Sequence, residues 1–289
     1  MEVEDTYAEA FGSYYSEVLI TAKNGKWLNH AVEAVTGNAS SSIGCDCEAG
    51  LDRLADDTPD GRIGALVQFH VPKFLEDPVR KLELVLIHRI GNSILTCPTA
   101  SVYNATSGNE FDIGKKVGFF GDGHQKIVEK YGRRMVSIPI MLGEFLIEEK
   151  IGYADGVMGG NLWLMADSQD SALEAGERVI GRINSIGGVI TPFPGGLCAS
   201  GSKVGSKYKF MVASTHHTLC PTLKELEGCE LPDNVNSVIE IVIDGRDVKS
   251  VEKAMHEGIK AASDVRGLIK ISAGNYGGRL GKHKIRLRD

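Results

Sequence analysis

Apolar residues recur along this chain in two rhythms, a period near two and a period near 3.6. The run Val18-Leu19-Ile20-Thr21 predicts a strand over 17–22. Trp27, Leu28, Ala31, Ala34 and Val35 fall on one face of a helix over 26–35, closed by Gly37. An extended piece is expected at 40–45, a polar loop at 56–61 and a strand at 64–70. Val79, Leu82, Val85, Leu86, Ile90 and Ile94 keep helical spacing and predict one long helix over 76–95. Residues 104–114 read as a surface excursion, followed by strands at 116–120, 135–140 and 144–147.

A second cycle begins near Asn161. It predicts a strand at 162–166, a helix at 171–183 with Leu173, Val179 and Ile183 inward, and Val189-Ile190 extended. Strands at 209–214 and 237–243, a helix at 248–262, a strand at 268–272 and an alternating tail at 282–288 complete it. Both cycles run strand–helix–strand–strand–helix–strand, the split βαβ pattern of ferredoxin-like folds. The fold class expected is therefore α/β in the α+β sense, two ferredoxin-like lobes with mostly antiparallel sheets, over residues 1–150 and 151–289. A doubly wound sheet is the competing architecture.

Composition sharpens this picture at the glycines. They number 35 of 289 residues and cluster at 187–188, 195–196, 201–205 and 274–281, where backbone can approach a ligand or another chain closely. The net charge of −6 argues against a general nucleic-acid binder. The acidic start lacks a basic, apolar leader, and no run of about 18 apolar residues occurs, so neither a secretory signal nor a transmembrane helix is expected. Six dispersed cysteines fit free thiols in a cytoplasmic protein.

Three places could carry chemistry. The stretch from Pro192 to Lys207, with Pro194, Gly195, Gly196, Ser200, Ser202 and Lys203, can cradle an anion on its amides or pack against a neighbouring subunit. It lacks the spacing of a phosphate-binding P-loop, and no dinucleotide fingerprint occurs. The stretch around Asn275, Tyr276, Gly277, Gly278 and Arg279 is either a glycine-rich turn or a surface for a flat ring, with basic residues following at Lys282, Lys284, Arg286 and Arg288. Glu240 interrupts the apolar run 238–243. It either faces solvent or is aimed at a cleft, where burial would hold it neutral and able to donate. A covalent route through Cys97, Cys198 or Cys220 is a rival, with His216-His217 near Cys220 in sequence. Metal-ligand spacing is absent, so no metal is expected.

Nine words then occur in one order from end to end. They are Glu4-Asp5-Thr6-Tyr7-Ala8-Glu9-Ala10-Phe11, Cys47-Glu48-Ala49-Gly50, Thr58-Pro59-Asp60-Gly61-Arg62, Phe120-Gly121-Asp122-Gly123, Gly159-Gly160-Asn161, Thr191-Pro192-Phe193-Pro194-Gly195-Gly196, Ser202-Lys203-Val204-Gly205-Ser206-Lys207, Glu240-Ile241-Val242-Ile243 and Ser272-Ala273-Gly274-Asn275-Tyr276-Gly277-Gly278. In these words the chain resembles the formylmethanofuran:tetrahydromethanopterin formyltransferases. The resemblance implies two ferredoxin-like lobes, a homotetramer built as a dimer of dimers, and substrate clefts near subunit contacts. It implies no permanently bound cofactor or metal, with tetrahydromethanopterin and methanofuran or methylofuran as carrier substrates. It gives Glu240 the catalytic role and places the two glycine-rich stretches along the carrier clefts. Ile43-Gly44-Cys45-Asp46-Cys47 and Asp244-Gly245-Arg246 depart from the archaeal pattern toward relatives from methylotrophic bacteria. There the subunit works with hydrolase- or dehydrogenase-type partners. A non-catalytic interaction subunit is the remaining alternative.

Overall fold

The structure, a computed structural model, describes residues 1–288. In chain order the strands are β1 (Glu2–Val3), β2 (Tyr7–Thr21), β3 (Glu48–Ala55), β4 (Gly64–Pro72), β5 (Ser101–Asn104), β6 (Asn109–Phe111), β7 (Lys126–Lys130) and β8 (Arg133–Ile140). They continue as β9 (Gly143–Glu148), β10 (Ile151–Ala166), β11 (Val189–Ile190), β12 (Lys203–Val204), β13 (Ala213–Ser214), β14 (Ser237–Gly245), β15 (Leu268–Ser272) and β16 (His283–Arg286). The α-helices are α1 (Gly25–Thr36), α2 (Pro78–Arg89), α3 (Ile113–Gly118), α4 (Gln169–Ile183) and α5 (Val248–Ala261). The chain forms two compact units: Ser13–Gly156, and Met1–Gly12 joined with the residues from Val157 onward. It passes between them inside β2 and inside β10. The sequence-based limits 1–150 and 151–289 differ from this at the first twelve residues and at 151–156.

In the middle unit, β2-α1-β3-β4-α2-β5 is one split βαβ cycle. The strands lie in the order β5-β2-β4-β3, antiparallel throughout, and the β9-β8-β7 meander adds to β5 through a parallel pair. The other unit repeats the cycle as β10-α4-β11-β14-α5-β15, in the order β15-β10-β14-β11. There β1 joins β15 in parallel, and β16 pairs with residues 7–10 of β2.

Each sheet buries one face beneath two amphipathic helices. Val18, Ile20, Val67 and Phe69 meet Leu28, Ala31, Val35, Leu82 and Leu86 in one unit. Leu162, Leu164, Ile239, Ile241 and Ile243 meet Ala172, Val179, Val251 and Met255 in the other. Full burial of each Leu, Ile or Val is worth about 1.5–3 kcal/mol, so these faces dominate stability. The four long helices start at side-chain caps: Asn24, Asp77, Ser168 and Asp247 accept from the amides of Trp27, Arg80, Ser171 and Ser250. Gly160 is required by close approach, since a Cβ there would lie 2.3 Å from Val251 Cγ1.

Several expectations need correction. The strand expected at 116–120 is helix α3 followed by a 3-10 turn at Phe119–Gly121. Ile113 and Val117, four residues apart, are both buried, and Gly114 seats the helix against the carbonyl of Glu148. The long helix at 76–95 ends at Arg89 and gives way to a π-turn over Ile90–Ile94, closed by the Leu95 amide on the Ile90 carbonyl at 2.9 Å. Residues 40–45 are turn, and the strand expected at 209–214 shrinks to β13, with Lys209 to Val212 exposed.

Candidate functional site

In β14 the apolar alternation splits the strand by face. Ile239, Ile241 and Ile243 point into the helix-covered core, while Val238, Glu240 and Val242 point to the opposite face. Glu240 therefore stands neither in the core nor on an open surface. The residues between β11 and β14 leave the sheet as a long excursion and return over that second face. Leu219, Leu231 and Val235 of this excursion pack on Trp163 and Met165 of β10. Beside this apolar floor a cavity of about 160 Å³ remains. Glu240, Trp163, Cys198, Ser200, His216 and Cys220 are among its walls.

Glu240 is fixed from both sides. Its backbone amide donates to Cys198 O at 3.0 Å and its carbonyl accepts from the Cys198 amide at 2.8 Å. Across the sheet it faces Trp163, whose indole Nε1–H donates to Glu240 Oε1 at 3.2 Å. Trp163 meets His216 edge to face, with centroids 5.3 Å apart. His216 Nδ1 lies 3.0 Å from Thr218 Oγ1. Burial, and then the positive fields of His217 and Lys203, hold the His216 imidazole below its usual range against an opposing pull from Glu230, so it is neutral at pH 7.

Of the expected binding residues, Ser200 and Ser202 line the cavity with Glu240. Lys203 begins the small β12–β13 hairpin, and its charge reaches His216. Pro194, Gly195 and Gly196 form a 3-10 turn outside the cavity wall. Gly196, at φ +80°, has no room for a Cβ beside Ile180.

The second glycine-rich stretch holds a surprise. Its amides point inward, at Glu9. Tyr276 and Gly278 donate to Glu9 Oε1, both at 2.6 Å, and Leu280 and Gly281 donate to Oε2 at 2.8 and 3.3 Å. Burial alone would raise the Glu9 carboxyl, but these four backbone donors win and hold it below the usual carboxylate range. The backbone amides of this turn are thus taken up by the protein's own anion, Glu9. Asn275 stays at the turn, donating to Thr6 Oγ1 at 3.1 Å and accepting from the Gly277 amide, and the Arg279 guanidinium donates to the Tyr276 carbonyl. Tyr276 alone reaches the site electrostatically. Burial, then the nearby Glu240 and Glu9 carboxylates, push its phenol up to about 12, so it remains a neutral donor.

Trp163 is the residue sequence reasoning passed over, and His216 enters it only as a sequence neighbour of Cys220. Trp163 was legible in principle, as the one aromatic in 161–166, but only strand register places it opposite Glu240. His216 carried no signal beyond its neighbour His217. All six cysteines are free thiols. Cys198 and Cys220 line the cavity, whereas Cys97 belongs to the other unit. Among the described residues no group of three or more His, Cys, Asp or Glu could hold a metal ion, and no helix is long and apolar enough to cross a membrane.

Comparison with known proteins gives this arrangement its class. Residues 1–140 match the family model described as formylmethanofuran-tetrahydromethanopterin formyltransferase, and residues 143–289 match that of the proximal lobe of the same enzyme. The formylmethanofuran–tetrahydromethanopterin formyltransferases of Methanothermobacter thermautotrophicus and Methanocaldococcus jannaschii are 51% and 50% identical to the chain. The alignments cover 100% and 99% of the chain and 98% and 97% of those proteins. Among solved structures, the formyltransferase from Methanosarcina barkeri superposes with a TM-score of 0.93 at 46% identity, covering 99% of this chain and 97% of that one. A chain of the formyltransferase/hydrolase complex from Methylorubrum extorquens, solved with methylofuran, gives 0.92 at 38% identity, covering 99% and 96%. The fold and the full-length similarity are those of an acyl-transfer enzyme that moves a formyl group. The chain belongs to the formylmethanofuran–tetrahydromethanopterin formyltransferase family. Identity to the two methanogen enzymes exceeds that to the methylotroph chain, so the departures at 43–47 and 244–246 do not track overall similarity.

Proposed function

We propose that this enzyme passes formyl between a methanofuran-type amine and N5 of tetrahydromethanopterin by direct attack, with Glu240 as the proton donor. The observation that carries the reading is Glu240 itself, a half-buried carboxyl held on two strands at the wall of a cavity. A formamide carbon is a weak electrophile, so the site has to stabilise a tetrahedral oxyanion and protonate the departing nitrogen. N5 bonds to the formyl carbon, the carbon–nitrogen bond to the furan carrier breaks, and Glu240 gives its proton to that nitrogen. The proton lost from N5 restores the Glu240 acid, so no co-reactant is consumed. Ser200, Ser202 and Tyr276 supply hydroxyl donors toward the carriers. Alignment of two carriers is worth up to about 7–11 kcal/mol, so positioning supplies much of the rate.

A homotetramer, a cytoplasmic location and an association with hydrolase-type subunits belong to this proposal, on the strength of the family resemblance. Transfer between purified carriers tests it. Glu240→Gln is expected to lower kcat by about 100- to 1,000-fold, the usual loss for one such donor. Turnover within a few-fold of wild type would remove Glu240 from the role. The thiol route predicts instead that Cys198→Ser or Cys220→Ser abolishes transfer. The Cys220 thiol donates to the His216 backbone carbonyl at 3.4 Å, an acceptor too weak to take its proton, which favours direct attack.

A further inference from the structure

The turn that follows β15 is built around one buried carboxylate. Glu9 is 1% exposed, and its two oxygens gather the backbone amides of Tyr276, Gly278, Leu280 and Gly281. Its own amide donates to the Gly274 carbonyl at 3.2 Å, so the turn is tied to β2 at its start as well as along its length. We infer that Glu9 is a positioning residue for formyl transfer: by gathering these amides it sets where the Tyr276 phenol stands beside Glu240. The inference rests on the proposed reading of Tyr276 as a hydroxyl donor toward the carriers.

Strand register puts that phenol on the uncovered face. Asn161 pairs with Val242, and Trp163 with Glu240, across β10 and β14, so all four side chains share the face that the helices leave open. Asn161 Oδ1 accepts from the Gly274 amide at 2.8 Å and anchors the start of the turn there. The Tyr276 ring folds back over the same glycine. A Cβ on Gly274 would lie 3.1 Å from Tyr276 Cε2 and 3.4 Å from its hydroxyl oxygen. Of residues 275–280, Tyr276 alone is turned out of solvent. The Glu240 carboxylate is near enough to push the phenol upward in pKa, in keeping with this placement.

The chain beside the tyrosine has little stiffness of its own. Gly277 and Gly278 follow it at φ +70° and +80°, where a glycine backbone moves freely. The place of the phenol therefore depends on what the amides bind. A carboxylate only accepts, and its lone pairs match the four donors around it. An amide side chain in its place accepts at one end and turns its own N–H groups toward the remaining donors. A hydroxyl held by such a supporting layer meets its carrier already in place.

The test is a double-mutant cycle of Glu9→Gln and Tyr276→Phe in the full-length enzyme, read as kcat/KM for transfer between purified carriers. Tyr276→Phe removes one hydroxyl and should lower kcat/KM by about tenfold. Glu9→Gln should also cost about tenfold, and the two together no more than either alone, because a misplaced phenol has nothing left to lose. Glu9→Asp keeps the charge on a shorter arm and should recover part of the loss, to within about threefold of wild type. A second readout needs no carrier. Fluorotyrosine at position 276 alone should give one narrow fluorine NMR resonance in the wild-type background and a shifted or broadened one with Glu9→Gln. Losses that multiply to about 100-fold would mean that Glu9 acts independently of Tyr276, and they overturn the inference. An unchanged fluorine resonance overturns it too, as does failure of both Glu9 variants to fold, since the carboxylate would then hold the chain and not the phenol. If Tyr276→Phe keeps full kcat/KM, the reading of Tyr276 as a donor fails and takes this one with it. If Tyr276→Phe loses activity while Glu9→Gln stays within twofold of wild type, only Glu9 loses its role.

Discussion

The two units carry the same cycle of elements and differ on the face that the helices leave uncovered. In the unit containing β14, that face holds Trp163 and Glu240 beside a cavity. In the unit of residues 13–156, it holds a row of buried polar groups. Gln68 Nε2 donates to Glu17 Oε1 at 2.9 Å and to Asp52 Oδ2 at 3.1 Å. With both amide hydrogens spent, Gln68 Oε1 must accept, so His70 Nε2 at 3.0 Å bears hydrogen, and His70 Nδ1 accepts from Ser13 Oγ at 3.1 Å. The row reaches Arg53 through Asp52 at 3.1 Å and is packed, with Tyr15 stacked on His70. One backbone plan thus carries a cavity beside the proposed acid in one copy and a buried polar network in the other. On the proposed reading the chemistry belongs to the side chains on the uncovered face, not to the fold.

Breaking the network is the largest way to test that contrast. Gln68→Leu takes one donor from each of two buried carboxylates and an acceptor from the His70 imidazole, while Asp52 keeps the Arg53 guanidinium at 3.1 Å. It should cost about 3 kcal/mol of stability, read by urea unfolding, because buried polar groups that lose a partner are expensive. Glu240→Gln should do the reverse, losing turnover while the unfolding midpoint stays within the error of the measurement. If Gln68→Leu is as stable as wild type, the row is solvated and the contrast is false.

His70 sharpens the comparison through pH. Burial pushes its imidazole down to about 3, so the folded protein keeps it neutral while the unfolded chain protonates near 6.5. The unfolded state then binds the extra proton, and stability falls as pH drops from about 6.5 toward 3. The slope is on the order of 1 kcal/mol per pH unit. His70→Gln should flatten the stability curve between pH 6 and 4, by about 2 kcal/mol over that interval. An unaltered slope would show that His70 is not the group responsible. The Glu9 carboxyl works lower on the scale. Its folded value is depressed, so its contribution is present above the unfolded carboxylate range and disappears only as pH falls through that lower value.

How much of this was legible in the sequence depended on where the determining contacts lie. The central strands and the helices at 171–183 and 248–262 were readable because one face of each is apolar, although Leu173, expected inward, is exposed and Ala172 takes the buried place. The strand at 116–120 was misread because a six-residue helix carries too few turns to show its period, and what fixes it is Gly114 against a carbonyl distant in the chain. The full length of β2 was hidden because Glu9, Ser13 and Glu17 are buried polar residues that break the alternation. Glu240 stood out as a carboxylate in an apolar run, and register then supplied Trp163. The glycine-rich turn at 274–281 shows the limit. Its amides do bind an anion, but the anion is Glu9, some 270 residues earlier, and no local pattern pairs the two.

The smallest test concerns the one device that both units use alike. Their first helices begin at a polar cap, Asn24 Oδ1 on the Trp27 amide at 3.2 Å and Ser168 Oγ on the Ser171 amide at 3.2 Å. Asn24→Ala should cost about 1 kcal/mol, and Ser168→Ala about the same, as an unfilled N-terminal amide does elsewhere. Asn24→Asp should recover most of the loss, since a carboxylate accepts the same bond and also suits the positive end of the helix. Neither change touches the uncovered faces, so kcat should hold in both variants. A fall in kcat for Ser168→Ala alone would mean that α4 transmits its position to Glu240 through the sheet, and that the helix-covered face of this unit, not only the open one, belongs to the catalytic apparatus.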